Sequence, residues 1–240
     1  MTARADIAIL VPVKDLTRAK SRLSPLLSLE ERRALAWLML DGVLGAIAAA
    51  GSGCRRAVVT SYTPAIGRAR ELGFAVLEET QQVSESASVD AASAALQGQG
   101  VAGVLRVPLD LPLLVPGDLA PVLEAATAGP DGSAAAVLVP SRDRLGTNAL
   151  YRSPPTLFPS QFGPDSLTLH ERAARAATQG TATRSAGAVR VLPVPGFALD
   201  VDDAADVAEL IRLAQPCPAL AYLRSLDIAT RLERIARAPA

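Results

Sequence analysis

A mostly parallel β-sheet with helices on both faces, in one domain spanning residues 1–240, is the α/β fold class this sequence predicts, and three observations carry it. Half of the residues are hydrophobic while only 3% are aromatic, so the core is built from Ala, Val and Leu, as it is where helices pack on a parallel sheet. Short apolar runs rich in β-branched residues alternate with stretches of helical period, the pattern of successive β-α-β units. The first run, residues 7–13, ends in a polar loop carrying Lys14, Arg18, Lys20 and Arg22, and the C-terminal end of such a strand is where open α/β sheets place ligands.

Taken in order, residues 7–13 have the length and branching of a strand buried on both faces. Ser28-Leu29-Glu30-Glu31 reads as a capping box opening a helix to about residue 50. Its Leu35, Leu38, Met39, Val43 and Ile47 recur on one face, with Trp37 as core filling. Residues 57–60 form the second strand, 64–72 a helix that Gly73 ends, and 74–77 the third strand. The polar stretch 78–88 predicts an exposed loop before an Ala-rich helix over 89–97. The run from Gly98 to Gly103 matches G-x-G-x-x-G, but it follows a helix and precedes a strand, the reverse of the dinucleotide fingerprint, so it reads as a helix stop.

The strand 104–107 runs into Pro108-Leu109-Asp110-Leu111-Pro112, and a helix over 117–128 with a strand over 135–139 completes another step. Residues 141–162, with Gly146, Pro154-Pro155 and Pro159, predict an irregular excursion over a site. A helix over 164–178, extended segments over 189–193 and 197–201, and helices over 204–213 and 219–236 close the chain, with 179–187 a surface loop. His170 lies beside Glu171 and Arg172 and reads as a surface histidine.

The formal net charge is zero, with both signs spread along the chain, so a nucleic-acid partner is excluded and any attraction for a polyanion is local to one cleft. Cys54 and Cys217 are isolated thiols without a pairing or metal-type spacing, which fits a reducing cytoplasm. The N-terminus has no secretory signal pattern, and the most apolar helix carries Asp41 and falls short of the roughly 20 residues a bilayer requires. A homo-oligomer is left open.

Lys14 and Lys20 are the only lysines, and both fall in the loop after the first strand. A compact ammonium with three donors suits a phosphate there. Asp110 is bracketed by prolines just past a strand, and Asp200 and Asp202, two apart in an extended segment, point to one face. Either Asp110 shapes a turn and Asp202 or Asp203 caps the next helix, or three carboxylates converge on a hard divalent cation such as Mg²⁺. Gly163-Pro164-Asp165-Ser166 reads as a helix start with Gly163 at the N-cap, and with Thr147 it offers a second anion site.

The ordered set VPVK, AKSRL, VPLDLPLL, GTNAL, FGPDS and LDVDD, over about residues 7–206, resembles the CofC/FbiD family of coenzyme F420 biosynthesis. The resemblance implies a single-domain, Rossmann-like nucleotidyltransferase fold and transfer of GMP from GTP to phosphoenolpyruvate or 2-phospho-L-lactate. It implies Mg²⁺ at Asp110, Asp200 and Asp202, the acceptor at Thr147, Gly163 and Ser166, and the triphosphate at Lys14, Lys20 and Arg22, with Lys14, Lys20 and Asp110 catalytic. Where family members carry Leu-Asn near the nucleotide base, this chain has Val89-Asp90. The competing readings are a nucleotidyltransferase for 3-phosphoglycerate or a sugar phosphate, and a nucleotide sensor without catalysis.

Overall fold

The computed structural model describes residues 6–127, 134–179 and 188–237. Seven strands form one sheet in the order β3-β2-β1-β4-β6-β5-β7. They are β1 (Ile7–Pro12), β2 (Arg55–Thr60), β3 (Ala75–Glu78), β4 (Gly103–Arg106), β5 (Ala136–Pro140), β6 (Thr147–Arg152) and β7 (Val189–Val191). All six residues of β1 are buried, as an apolar run flanked by two parallel neighbours requires.

Among the described residues there are eight α-helices: α1 (Leu29–Ala49), α2 (Thr63–Glu71), α3 (Glu85–Gly98), α4 (Leu119–Thr127), α5 (Ser166–Gln179), α6 (Ala204–Leu213), α7 (Pro218–Ser225) and α8 (Ile228–Arg237), the last three packing on α1 rather than on the sheet. One face packs on α1, α2 and α4 through Leu40, Val43, Ala65 and Val122. The other packs on α3 through Val89 and Leu96, and on α5 through Leu167 and Ala174. The capping box of α1 forms: the Ser28 hydroxyl accepts from the Glu31 N–H at 3.2 Å, and the Ser28 N–H donates to Glu31 Oε2 at 2.8 Å. Helix α3 begins at Glu85 because the Ser84 hydroxyl accepts from the Ala87 N–H, so the last four residues of the polar stretch predicted to be loop are helix. No helix among the described residues is long and apolar enough to cross a membrane.

Three features depart from the sequence reading. The excursion predicted over 141–162 contains β6, which lies between β4 and β5 and runs antiparallel to both. Its sequence, Thr-Asn-Ala-Leu-Tyr-Arg, has an apolar run of only three residues, yet every residue is buried. Two of its polar members are satisfied internally: Asn148 Nδ2 donates to the Phe197 carbonyl at 2.7 Å, and Arg152 pairs with Asp90 at 3.0 Å. The segment 197–201 is no strand; a 3-10 turn at Pro195–Phe197 leads into a loop whose Val201 N–H donates to the Asp110 carbonyl at 3.2 Å. The last helix is two, α7 and α8, with Asp227 between them at φ 50°. The predicted surface loop lies largely outside the described residues.

Candidate active site

The order β2-β1-β4 puts the topological switch point at β1. The chain leaves β1 toward β2 on one side and later returns to β4 on the other, so the loops after β1 and β4 diverge and leave a crevice at their C-terminal ends. Two clefts open at this edge. One, of about 440 Å³, is lined by Lys14, Arg18, Lys20, Gln82 and Ser88. The other, of about 500 Å³, is lined by Arg22, Thr147, Asn148, Gly163, Ser166 and Asp200. Both share a wall of Glu85, Arg106, Pro108, Asp110 and Asp202.

Lys20 decides how this wall is built. Its backbone takes the left-handed conformation at φ 54°, uncommon for a residue with a Cβ, and its side chain turns inward. The ammonium donates to Asp110 Oδ2 and Asp202 Oδ1, each at 2.7 Å. The neighbouring loop is anchored by α1, whose Arg33 Nε donates to the Thr17 carbonyl at 2.7 Å. Burial alone would push the Asp110 carboxyl up, but the Lys20 ammonium, aided by Arg106, outweighs it and holds the group below the usual carboxylate range. Asp200 is pushed up by burial and then by the Asp110 charge, against the Asn148 amide, which donates to Oδ1 at 3.0 Å. Asp203 is the N-cap of α6, its carboxylate accepting from the Ala205 and Asp206 N–H groups.

Among the described residues no three carboxylate, imidazole or thiol groups stand close enough to ligate one ion. The donor set nevertheless fits a hard divalent cation. An ammonium already draws Asp110 and Asp202 together, and the raised Asp200 lacks a positive partner of its own.

The second cleft is built on β6 and the start of α5. That helix begins at Ser166, two residues after Pro164, because Asp165 at φ 55° and Gly163 at φ 132° form a turn. Gly163 is therefore not its N-cap. The Ser166 hydroxyl accepts from the Thr147 N–H at 2.9 Å, and the Thr147 hydroxyl meets His170 Nδ1 at 3.0 Å. His170 is fully buried, contrary to the surface position expected. Burial, followed by the charges of Arg106 and Arg152, pushes its imidazole down to about 4.

A stability prediction follows from that depression. Between the ordinary value of 6.5 and about 4 the unfolded chain binds a proton that folded His170 refuses. Its contribution is complete above the unfolded value and is lost as pH falls through the window. Urea midpoints at pH 7.5 and 5 are expected to drop less in His170→Asn than in the wild type; equal pH dependence in both would contradict it.

Other positions expected at the nucleotide are redistributed. Lys14 and Arg18 line the first cleft, whereas Arg22 lines the second. Lys20 is occupied by the two acids. Asp90 lines neither cleft: its carboxylate pairs with Arg152 and accepts from the Ser160 N–H at 2.9 Å and hydroxyl at 2.6 Å. Its carboxylate is thus engaged by Arg152 and Ser160 at the position where the family carries an amide near the base. Arg106, which the sequence reading passed over as part of a strand, lies in the shared wall with its guanidinium 4.1 Å from the Phe162 ring centre and paired with Glu85. A cation within an otherwise apolar β4 was the signal for it.

The model of the family "Guanylyl transferase CofC like" matches residues 7–239. A phosphoenolpyruvate guanylyltransferase of Rubrobacter xylanophilus is 39% identical over 206 residues, covering 85% of this chain and 93% of that protein. One of Mycolicibacterium smegmatis is 31% identical, covering 88% of each chain. Among solved structures, a putative nucleotide-diphospho-sugar transferase from Desulfovibrio desulfuricans superimposes with a TM-score of 0.74 at 17% identity, over 96% of this chain and 98% of that one. A nucleotidyl transferase from Methanothermobacter gives 0.58 at 14% identity, over 91% and 98%. At such identities these two speak for the fold, a nucleotidyltransferase sheet of Rossmann-like type, while the family model and the curated relatives speak for the lineage. The chain belongs to the CofC-like guanylyl transferases.

Proposed function

We propose that the chain transfers GMP from GTP to phosphoenolpyruvate, a cytoplasmic reaction and the step that the CofC/FbiD resemblance implies in coenzyme F420 biosynthesis. The observation that carries this reading is the pair of clefts meeting at one wall of Asp110, Asp202 and Arg106. GTP occupies the cleft of Lys14 and Arg18, and the acceptor occupies the cleft of Thr147, Gly163 and Ser166. The names of the two curated relatives support phosphoenolpyruvate as the acceptor.

An acceptor phosphate oxygen forms a bond to the α-phosphorus of GTP. The bond from that phosphorus to the oxygen bridging to the β-phosphate breaks, and pyrophosphate leaves with its electrons. A phosphate monoester has its second pKa near ~6, so the attacking oxygen is ionised at neutral pH and needs no general base. This agrees with a chain whose single histidine is buried and neutral. The remaining difficulty is the approach of two anions. Lys14 and Arg18 offset the triphosphate, and Arg106 presents a desolvated guanidinium where the two substrates meet. Asp110, Asp200 and Asp202 would hold Mg²⁺, which supplies charge neutralisation at the phosphates. Catalysis is then mainly positioning and electrostatics.

Mass spectrometry of the reaction of GTP and Mg²⁺ with phosphoenolpyruvate, 2-phospho-L-lactate or 3-phosphoglycerate tests the reading. The expected product is guanosine joined through a diphosphate to enolpyruvate, with one pyrophosphate released. Turnover with 3-phosphoglycerate in preference to phosphoenolpyruvate, or nucleotide binding with no pyrophosphate from any acceptor, would overturn it.

A further inference from the structure

We propose that His170 is a positioning residue that locks the Thr147 hydroxyl as a hydrogen-bond donor toward an anionic oxygen of the acceptor. This rests on the guanylyl-transfer reading above and adds to it a residue that does not itself line the cleft.

The Gln161 backbone N–H donates to His170 Nε2 at 2.8 Å, so that nitrogen carries no proton. A neutral imidazole then bears its proton on Nδ1, and Nδ1 lies 3.0 Å from Thr147 Oγ1. The ring therefore donates and the hydroxyl accepts. The opposite tautomer would set two N–H groups against each other at Gln161. Phe162 holds the ring edge-on at a centroid distance of 5.0 Å, and the imidazole has no exposed surface from which to reorient.

With a lone pair of Oγ1 occupied by His170, the Thr147 hydroxyl has its own proton to give, and no acceptor for it is found among the described residues. Thr147 is only 4% exposed and lines the second cleft. The rest of the residue is also committed: its N–H donates to the Ser166 hydroxyl at 2.9 Å, and its carbonyl accepts from Arg106 at 3.3 Å. Ser166 is set in the same way, since its oxygen already accepts from Thr147. Each of the two hydroxyls thus has one lone pair taken by the protein and keeps its proton for a ligand in the cleft they line. An available proton suits a carboxylate or phosphate oxygen. Hydrogen bonds to charged groups are the strong class, each carrying roughly tenfold or more in affinity.

Steady-state kinetics with GTP and phosphoenolpyruvate test this on the full chain. His170→Asn keeps an N–H near the Nδ1 position, and its acceptor KM is expected within about threefold of wild type. His170→Leu removes the donor and is expected to raise the acceptor KM roughly tenfold or more, with the KM for GTP unchanged. In the His170→Leu background, Thr147→Val is expected to add little, whereas in the wild-type background it costs the full effect. If His170→Leu does not fold, His170→Met takes its place: its thioether can accept weakly from the Gln161 N–H, and it offers Thr147 no donor. An unchanged acceptor KM in the donor-less variant would overturn the proposal, as would equal losses in the Asn and Leu variants or parallel rises in both KM values. A wild type that makes no product from these substrates overturns the reaction itself and is seen before any variant is compared.

Discussion

Asp110→Asn is expected to fold normally and to lose at least about 100-fold in turnover, the scale of removing one preorganised electrostatic element from a desolvated site. Asparagine keeps the shape of the side chain and one oxygen that can accept from Lys20, which retains Asp202 as its ionic partner at 2.7 Å. Thermal unfolding should therefore shift by no more than about 4 °C, equivalent to roughly 1 kcal/mol in a chain of this size. The catalytic loss has a different origin. Asp110 lines both clefts, so on the proposed reading its charge acts where the two substrates meet, and a neutral amide removes the negative charge that would favour a divalent cation there. Pyrophosphate release measured beside the melting curve separates the two effects. Wild-type turnover in a folded variant would remove Asp110 from the mechanism.

Lys20→Met is expected to damage stability as well as activity. The Lys20 side chain is 7% exposed and that of Asp110 20%, so deleting the ammonium leaves a largely desolvated carboxylate facing a second one at Asp202. Breaking a buried pair in this way costs about 3–5 kcal/mol. Mg²⁺ should restore part of that loss in the variant and add less to the wild type, because a divalent ion relieves the same repulsion. Turnover is expected to fall about 100-fold or more, since the geometry of the shared wall depends on the bridge. A variant as stable as wild type in the absence of Mg²⁺ would show that the bridge does not organise the wall. Both lysines of the loop line the first cleft, and Lys20 in addition bridges the two acids.

Much of the scaffold was legible because burial leaves a mark on composition. β1 is an unbroken apolar run, α1 announces itself by its capping box, and the helix stop at Gly98–Gly103 was separable from a dinucleotide loop by its place in the β-α order. β6 was illegible for a complementary reason. Its buried Asn148 and Arg152 are satisfied by partners far along the chain, so the strand carries only the short apolar run Ala149–Tyr151 between polar ends. His170 misled in the same manner: charged neighbours in sequence lie on the other side of α5, while the imidazole faces Thr147 and the Gln161 backbone.

The order of apolar and polar segments by itself determined an α/β sheet, the loop of cations after its first strand, and Asp110 just past β4. Only the tertiary structure decided which of them meet. Lys20 reaches Asp110 and Asp202 across 90 and 182 residues, and Asp90 is drawn away to Arg152. Local sequence sets backbone preference and burial, whereas the pairing of charges depends on distances that exist only once β1, β4 and β6 lie side by side. In that desolvated setting Lys20 and Arg152 pair with carboxylates far away in the chain.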